Sequence, residues 1–139
     1  MKIPDWLPVY GDIQYRGDCP KEALEQVTLF ARIRRTWPES LGRIALHPRN
    51  EGRKDGRQVV REKAEGMTPG AADIVIPGMP TLVMELKRRD HTQSSWQDGQ
   101  LDFLLAAKQQ GAWVCVALGA DAAIEAIHGW LAAQKLDAP

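Results

Sequence analysis

Apolar positions recur along the chain in two rhythms, and each change of rhythm marks an element. In KEALEQVTLFARIRR, residues 21–35, Glu22, Gln26, Leu29 and Ile33 share one helical stripe, while Lys21, Glu25, Thr28, Arg32 and Arg35 share a polar one. Pro20 suits the entry to this helix and Pro38 ends it. RIALH, residues 43–47, has the length and character of a strand, and QVVREKAEG, residues 58–66, reads as a short helix closed by Gly66. Two apolar runs follow, DIVI at 73–76 and TLVMELK at 81–87; the Pro77, Gly78, Met79 and Pro80 between them predict a hairpin. SSWQDGQLDFLLAAKQQ, residues 94–110, returns to helical spacing, with Gly111 as its C-cap. AWVCVAL, residues 112–118, is a continuous apolar run suited to a strand buried on both faces, and DAAIEAIHGWLAAQKL, residues 121–136, predicts a last amphipathic helix. Residues 1–20, with Pro4, Pro8, Gly11, Gly17 and Pro20, read as an irregular arm. The order helix, three strands, helix, strand, helix predicts an α/β fold: a central mixed β-sheet flanked by helices, with one core.

Composition narrows this only slightly. A chain of 139 residues is long enough for one domain and short for two, so residues 1–139 are expected to form a single domain. The formal net charge of +0 removes a global positive charge as an argument for a nucleic-acid partner. No run approaches the ~18 apolar residues of a membrane span, and MKIPDWLPVYGD lacks an export signal, so a soluble cytoplasmic protein is expected. Cys19 and Cys115 match no metal-ligand spacing and are expected to be reduced thiols. His47, His91 and His128 likewise show no ligand spacing, and most of the tryptophans are expected to be core or interface anchors instead of base-stacking platforms.

The chemistry concentrates in the predicted hairpin. Strand alternation turns Leu82, Met84 and Leu86 to one face and Val83, Glu85 and Lys87 to the other. Closure about Pro77 to Pro80 allows two registers, which set Asp73 opposite either Met84 or Glu85. In the second, the two carboxylates stand with Cβ atoms ~5 Å apart, near enough to share one cation. Unneutralised, such a pair beside a partly buried lysine is costly. A hard divalent ion, Mg²⁺ or Mn²⁺, resolves that cost through oxygen ligands and substrate phosphate, which makes the arrangement suit phosphodiester cleavage. The plain alternative is an ordinary Glu85–Lys87 ion pair on a solvated strand face.

Gly66 and Gly70 in GMTPGAAD, then Asp73, the hairpin, Glu85 and Lys87 in ELK, and Gln100 on the next helix resemble the PD-(D/E)XK nucleases, and within them the VRR-NUC group. The resemblance covers most of the chain from about Pro20 onward. It implies a restriction-endonuclease-like core of αβββαβ order plus a C-terminal helix. Asp73, Glu85 and the backbone carbonyl of Leu86 would hold the metal, Lys87 would be the catalytic lysine, and Gln100 would support the site. One departure is visible: Ala72 stands where the superfamily pattern has a proline before the Asp. The family also carries a glutamate on the first helix, often as E-x-x-x-Q. Glu22 with Gln26 fits that pattern while Glu25 competes, and the stripes select Glu22, with Glu25 on the side expected to face solvent. An ordinary first-turn acid, favoured by the helix dipole, is the alternative for Glu22.

Residues 49–63 are locally basic, with Arg49, Arg53, Lys54 and Lys63 as candidate phosphate contacts, although interleaved acids also fit a solvated loop. Arg88 and Arg89, which leave the site on the same strand, are the first choices for DNA binding. The expected activity is therefore that of a Mg²⁺- or Mn²⁺-dependent DNA endonuclease. By the resemblance it would act on branched or four-way DNA as a homodimer, in a bacterial or phage setting. A catalytically inactive nucleic-acid-binding or assembly module on the same fold is the rival, and an unrelated α/β domain the third possibility.

Overall fold

The apolar run Trp113–Leu118 forms β4, an interior strand of a four-stranded sheet, buried but for its first residue. On one side it pairs in parallel with β3, Leu82–Lys87, and on the other, also in parallel, with β1, Val9–Tyr10. β2, Ile74–Ile76, completes the order β1-β4-β3-β2 by an antiparallel pairing with β3. The computed structural model describes residues 1–48 and 55–137 of the chain. Its helices are α1 (Glu22–Thr36), α2 (Leu41–Ile44), α3 (Gly56–Ala64), α4 (Gln100–Gln109) and α5 (Ala120–Asp137).

Strand alternation divides the apolar interior between the two faces of the sheet. Leu82, Met84 and Leu86 of β3 pack with Leu29 and Ile33 of α1 and with Ala123, Ile127 and Trp130 of α5. Val83, Val114 and Val116 face the other way and pack with Leu104 of α4 and Leu7 of the arm. Each large aliphatic side chain removed from water in these layers contributes about 1.5–3 kcal/mol. Glu85 and Lys87 belong by alternation to the α4 face, which is how two charges enter a strand whose every residue is buried. The sheet separates two cores where the sequence predicts one.

Four further expectations are corrected. Residues 43–47 do not form a strand: Leu41–Ile44 are helical, and only Leu46 pairs with the sheet, as a single antiparallel bridge to Val75. The first of the three predicted strands is thus one bridge at the β2 edge. The arm is not wholly irregular, because Val9 and Tyr10 add an edge strand next to β4. The helix predicted over 94–110 starts only at Gln100, after Gly99 with φ 87, and residues 94–98 are non-helical. Their polar groups bond to the site instead of to a helix ladder. Lastly, Glu25 is 7% exposed and does not face solvent. Its Oε2 accepts the backbone N–H of Ala120 at 2.5 Å and so caps α5, which explains why an acid stands on a buried turn of α1.

Candidate active site

The hairpin adopts the register in which Ile74 faces Met84 and Ile76 faces Leu82, and its continuation sets Asp73 opposite Glu85. Asp73 Oδ2 accepts the Leu86 backbone N–H at 2.9 Å, which fixes the carboxylate against β3 just beyond the end of β2. The Leu86 carbonyl lies on the same edge of β3 as its N–H, beside Asp73. Glu85 and Lys87 are each 1% exposed and do not pair directly. Gln100, the first residue of α4, stands between them. Its Nε2 donates to Glu85 Oε1 at 3.0 Å, and its Oε1 accepts from Lys87 Nζ at 3.0 Å and from the Gln97 N–H at 2.8 Å. The opposite amide orientation would aim an NH₂ group at two donors, so the network assigns it. The alternative of a solvated Glu85–Lys87 ion pair does not survive this burial and bridging.

Burial is the largest cause that pushes the Glu85 carboxyl up to about 10, followed by the neighbouring Asp73 carboxylate; Lys87 acts in the opposite sense. Without a cation, the pair therefore holds a proton at neutral pH. Among the described residues, the buried side-chain polar atoms without a partner are Glu85 Oε2 and His91 Nδ1, and of these two residues only Glu85 lines a large cleft. An orphaned carboxylate oxygen beside a second carboxylate and a backbone carbonyl suits a hard divalent ion. No group of three or more His, Cys, Asp or Glu among the described residues could hold a metal alone. Asp73, Glu85 and the Leu86 carbonyl would form a partial set, with water and phosphate completing it, as Mg²⁺ commonly requires.

The cleft encloses about 810 Å³, and its walls include Glu22, Asp73, Glu85, Gln100 and Lys63. Glu22 reaches it from the first turn of α1, and its Oε1 accepts from Ser94 Oγ at 2.7 Å. Gln26, one turn on, donates from Nε2 to the Asp73 carbonyl at 3.4 Å, and His47 Nδ1 lies 2.7 Å from the same oxygen. Two glycines bring the parts together: a Cβ on Gly70, at φ 75, would stand 2.2 Å from the Gly99 carbonyl carbon. This crossing of backbones sets the loop before Asp73 against the start of the helix that carries Gln100. Asp73, Glu85, Lys87, Glu22 and Gln100, far apart in sequence, thus meet at one place.

The candidate DNA contacts divide. Lys63 lies in the last turn of α3, a helix with no buried residue, begun by Asp55 accepting the Gln58 N–H. Arg88 is occupied: its guanidinium donates to the Pro20 and Cys19 carbonyls at 3.1 and 2.7 Å and ties the arm to the end of β3. Arg89 is exposed and stacks over Tyr15, with Cζ 4.5 Å from the ring centre. Arg49, Arg53 and Lys54 lie outside the described residues. Sequence reasoning missed the segment 94–97, whose Ser94, Ser95, Trp96 and Gln97 all touch the site or its partners. The run of polar residues before Gly99 was the available signal.

No family model matches the sequence, and no curated protein matches it either. Among solved structures, a VRR_NUC domain protein aligns over 83% of this chain and 89% of its own, with a TM-score of 0.65 and 20% identity. At that identity the likeness shows the fold, a VRR-NUC-type α/β architecture consistent with the restriction-endonuclease-like class.

Proposed function

We propose that the chain is a divalent-metal-dependent endodeoxyribonuclease. The observation that carries this reading is the buried constellation of Asp73, Glu85, Lys87 and Gln100, with Glu85 Oε2 left without a partner at a cleft. The similarity in fold to a protein named for a nuclease domain supports it. Mg²⁺ or Mn²⁺ held by Asp73, Glu85 and the Leu86 carbonyl would supply Lewis-acid stabilisation of phosphate charge and acidify a bound water. The chain's own groups have separate tasks. The Leu86 N–H orients Asp73, and the Gln100 amide orients Glu85 and Lys87 together. Lys87 contributes a fixed positive charge for the oxygen on which negative charge accumulates, placed in advance by the Ser95 carbonyl and by Gln100. Glu22, held by Ser94, adds a further acid at the rim.

The finer form of the proposal is structure-specific cleavage of branched or four-way DNA by a homodimer, in which two-fold pairing presents two sites to one junction. It rests on the resemblance to small stand-alone VRR-NUC proteins. Arg89 and Lys63 are the described cations best placed to meet phosphate, with Arg49, Arg53 and Lys54 as further candidates. The test is incubation of purified protein with linear, flapped and four-way DNA in Mg²⁺ and in Mn²⁺, beside Asp73→Ala and Lys87→Ala. Cleavage abolished by both substitutions is expected, and sedimentation should give twice the chain mass. Survival of every substrate at high enzyme concentration rules the nuclease reading out, and binding without cleavage points to an inactive module on this fold.

A further inference from the structure

We infer that Trp96 is a positioning residue for the Lys87 ammonium, acting through the face of its ring. Lys87 Nζ lies 5.1 Å from the centre of the Trp96 ring, in cation–π range. Its two hydrogen bonds, to the Ser95 carbonyl at 2.7 Å and to Gln100 Oε1 at 3.0 Å, fix its direction from the sides, while the indole covers it. Lys87 is 1% exposed, and Trp96, Gln97 and Gln100 form the adjoining cleft wall. A lysine on a flexible four-carbon stem needs such a cage, because its charge is otherwise free to swing.

The indole is itself held from outside the site. Trp96 Nε1 donates to the Lys2 carbonyl at 2.7 Å, and the ring packs in the same layer as Met1, Ile3 and Trp6 of the arm. The arm thus reaches the reacting groups by one side chain: Lys2 carbonyl, indole, ammonium. A stacking platform for a nucleobase is the competing use of a tryptophan in a nucleic-acid cleft, but here the ring already serves the lysine, and its N–H is bound to backbone.

The kinetic part of the test rests on the nuclease reading, whereas the spectroscopic part stands on geometry alone. In nuclear magnetic resonance spectra, ring current should displace the Lys87 ε-methylene protons upfield in the parent protein and in Trp96→Phe, and the displacement should vanish in Trp96→Leu. In cleavage assays, Trp96→Leu should lower kcat by roughly tenfold to a hundredfold with KM for DNA unchanged, the cost expected of a misplaced reacting group. Trp96→Phe should retain kcat within a few-fold. Absence of the upfield displacement in the parent protein overturns the inference whether or not DNA is cut. So does a rise in KM with kcat intact, which marks a base-stacking role, or a rise in kcat, which marks a ring that blocks the lysine. Equal losses in the Phe and Leu variants also overturn it, since the ring face would then be irrelevant.

Discussion

Glu85 carries a pH dependence whose sign can be worked out from its surroundings. In the metal-free folded protein its carboxyl is raised from 4.5 to about 10, chiefly by burial and then by Asp73, so the folded state holds a proton that the unfolded chain releases. That contribution to stability is complete below pH 4.5 and is lost as pH rises through the interval toward about 10. In chelator, the denaturation midpoint should therefore fall with rising pH across this window, and Glu85→Gln should flatten the fall. Mn²⁺ should restore the midpoint most at the alkaline end, where the carboxyl has least need to shed a proton. A midpoint that rises with pH between 5 and 9 in chelator would contradict the buried, proton-sharing pair. At this scale the sequence was legible wherever alternation ruled, as with Glu85 and Lys87 on one face of β3. It was illegible for Glu25, because helical stripes cannot say that a neighbouring helix begins where the acid points.

Among elements, the joints between helices and loops decide more than their interiors. Glu25 and Glu22 sit in the first turn of α1 yet serve different structures, one the N-terminus of α5 and the other the cleft. Glu25→Ala should cost about 0.5–2 kcal/mol by leaving the Ala120 N–H without its acceptor. Glu22→Ala should reduce cleavage with a smaller effect on stability; paired thermal denaturation and activity measurements separate the two. The crossing of Gly70 and Gly99 makes a second comparison. Gly70→Ala adds a methyl 2.2 Å from backbone, whereas Gly66→Ala meets nothing within 4 Å, although both positions have positive φ. Gly66→Ala should cost about 1–2 kcal/mol for the conformation alone, and Gly70→Ala more, with loss of metal binding as Asp73 and Gln100 are driven apart. Denaturation and Mn²⁺ titration check both. Chemical pattern in the sequence found the hairpin and the longer helices, but neither α2 nor the start of α4, because SSWQD has helical spacing while its polar groups are claimed by Glu22, Lys87 and Gln100.

For the molecule as a whole, neutrality is the relevant fact. The chain carries a net charge of +0, and the cleft walls bear Glu22, Glu62, Asp73, Glu85 and Asp98 against Lys63. A cleft lined in this way repels phosphate, and a bound cation would offset the repulsion. In chelator, Asp73→Asn should bind DNA roughly fivefold more tightly than the parent, the equivalent of about 1 kcal/mol for one charge removed at close range, while losing cleavage; fluorescence anisotropy measures the first. The order of the longer elements was readable because each has its own apolar rhythm. The Val9–Tyr10 strand was not, since two residues carry no period and gain their identity only from β4.

That edge strand sets a timetable for the newly made chain. Val9 leaves the ribosome more than a hundred residues before its partner Val116. Asp73 and Glu85 lie twelve residues apart and can meet as soon as their hairpin has emerged. The hairpin contact is thus local, whereas the arm has no strand to join until β4 has been made. Pairing of Val9 with Val116 must wait for the whole of the intervening chain, whereas the hairpin that carries the two carboxylates does not.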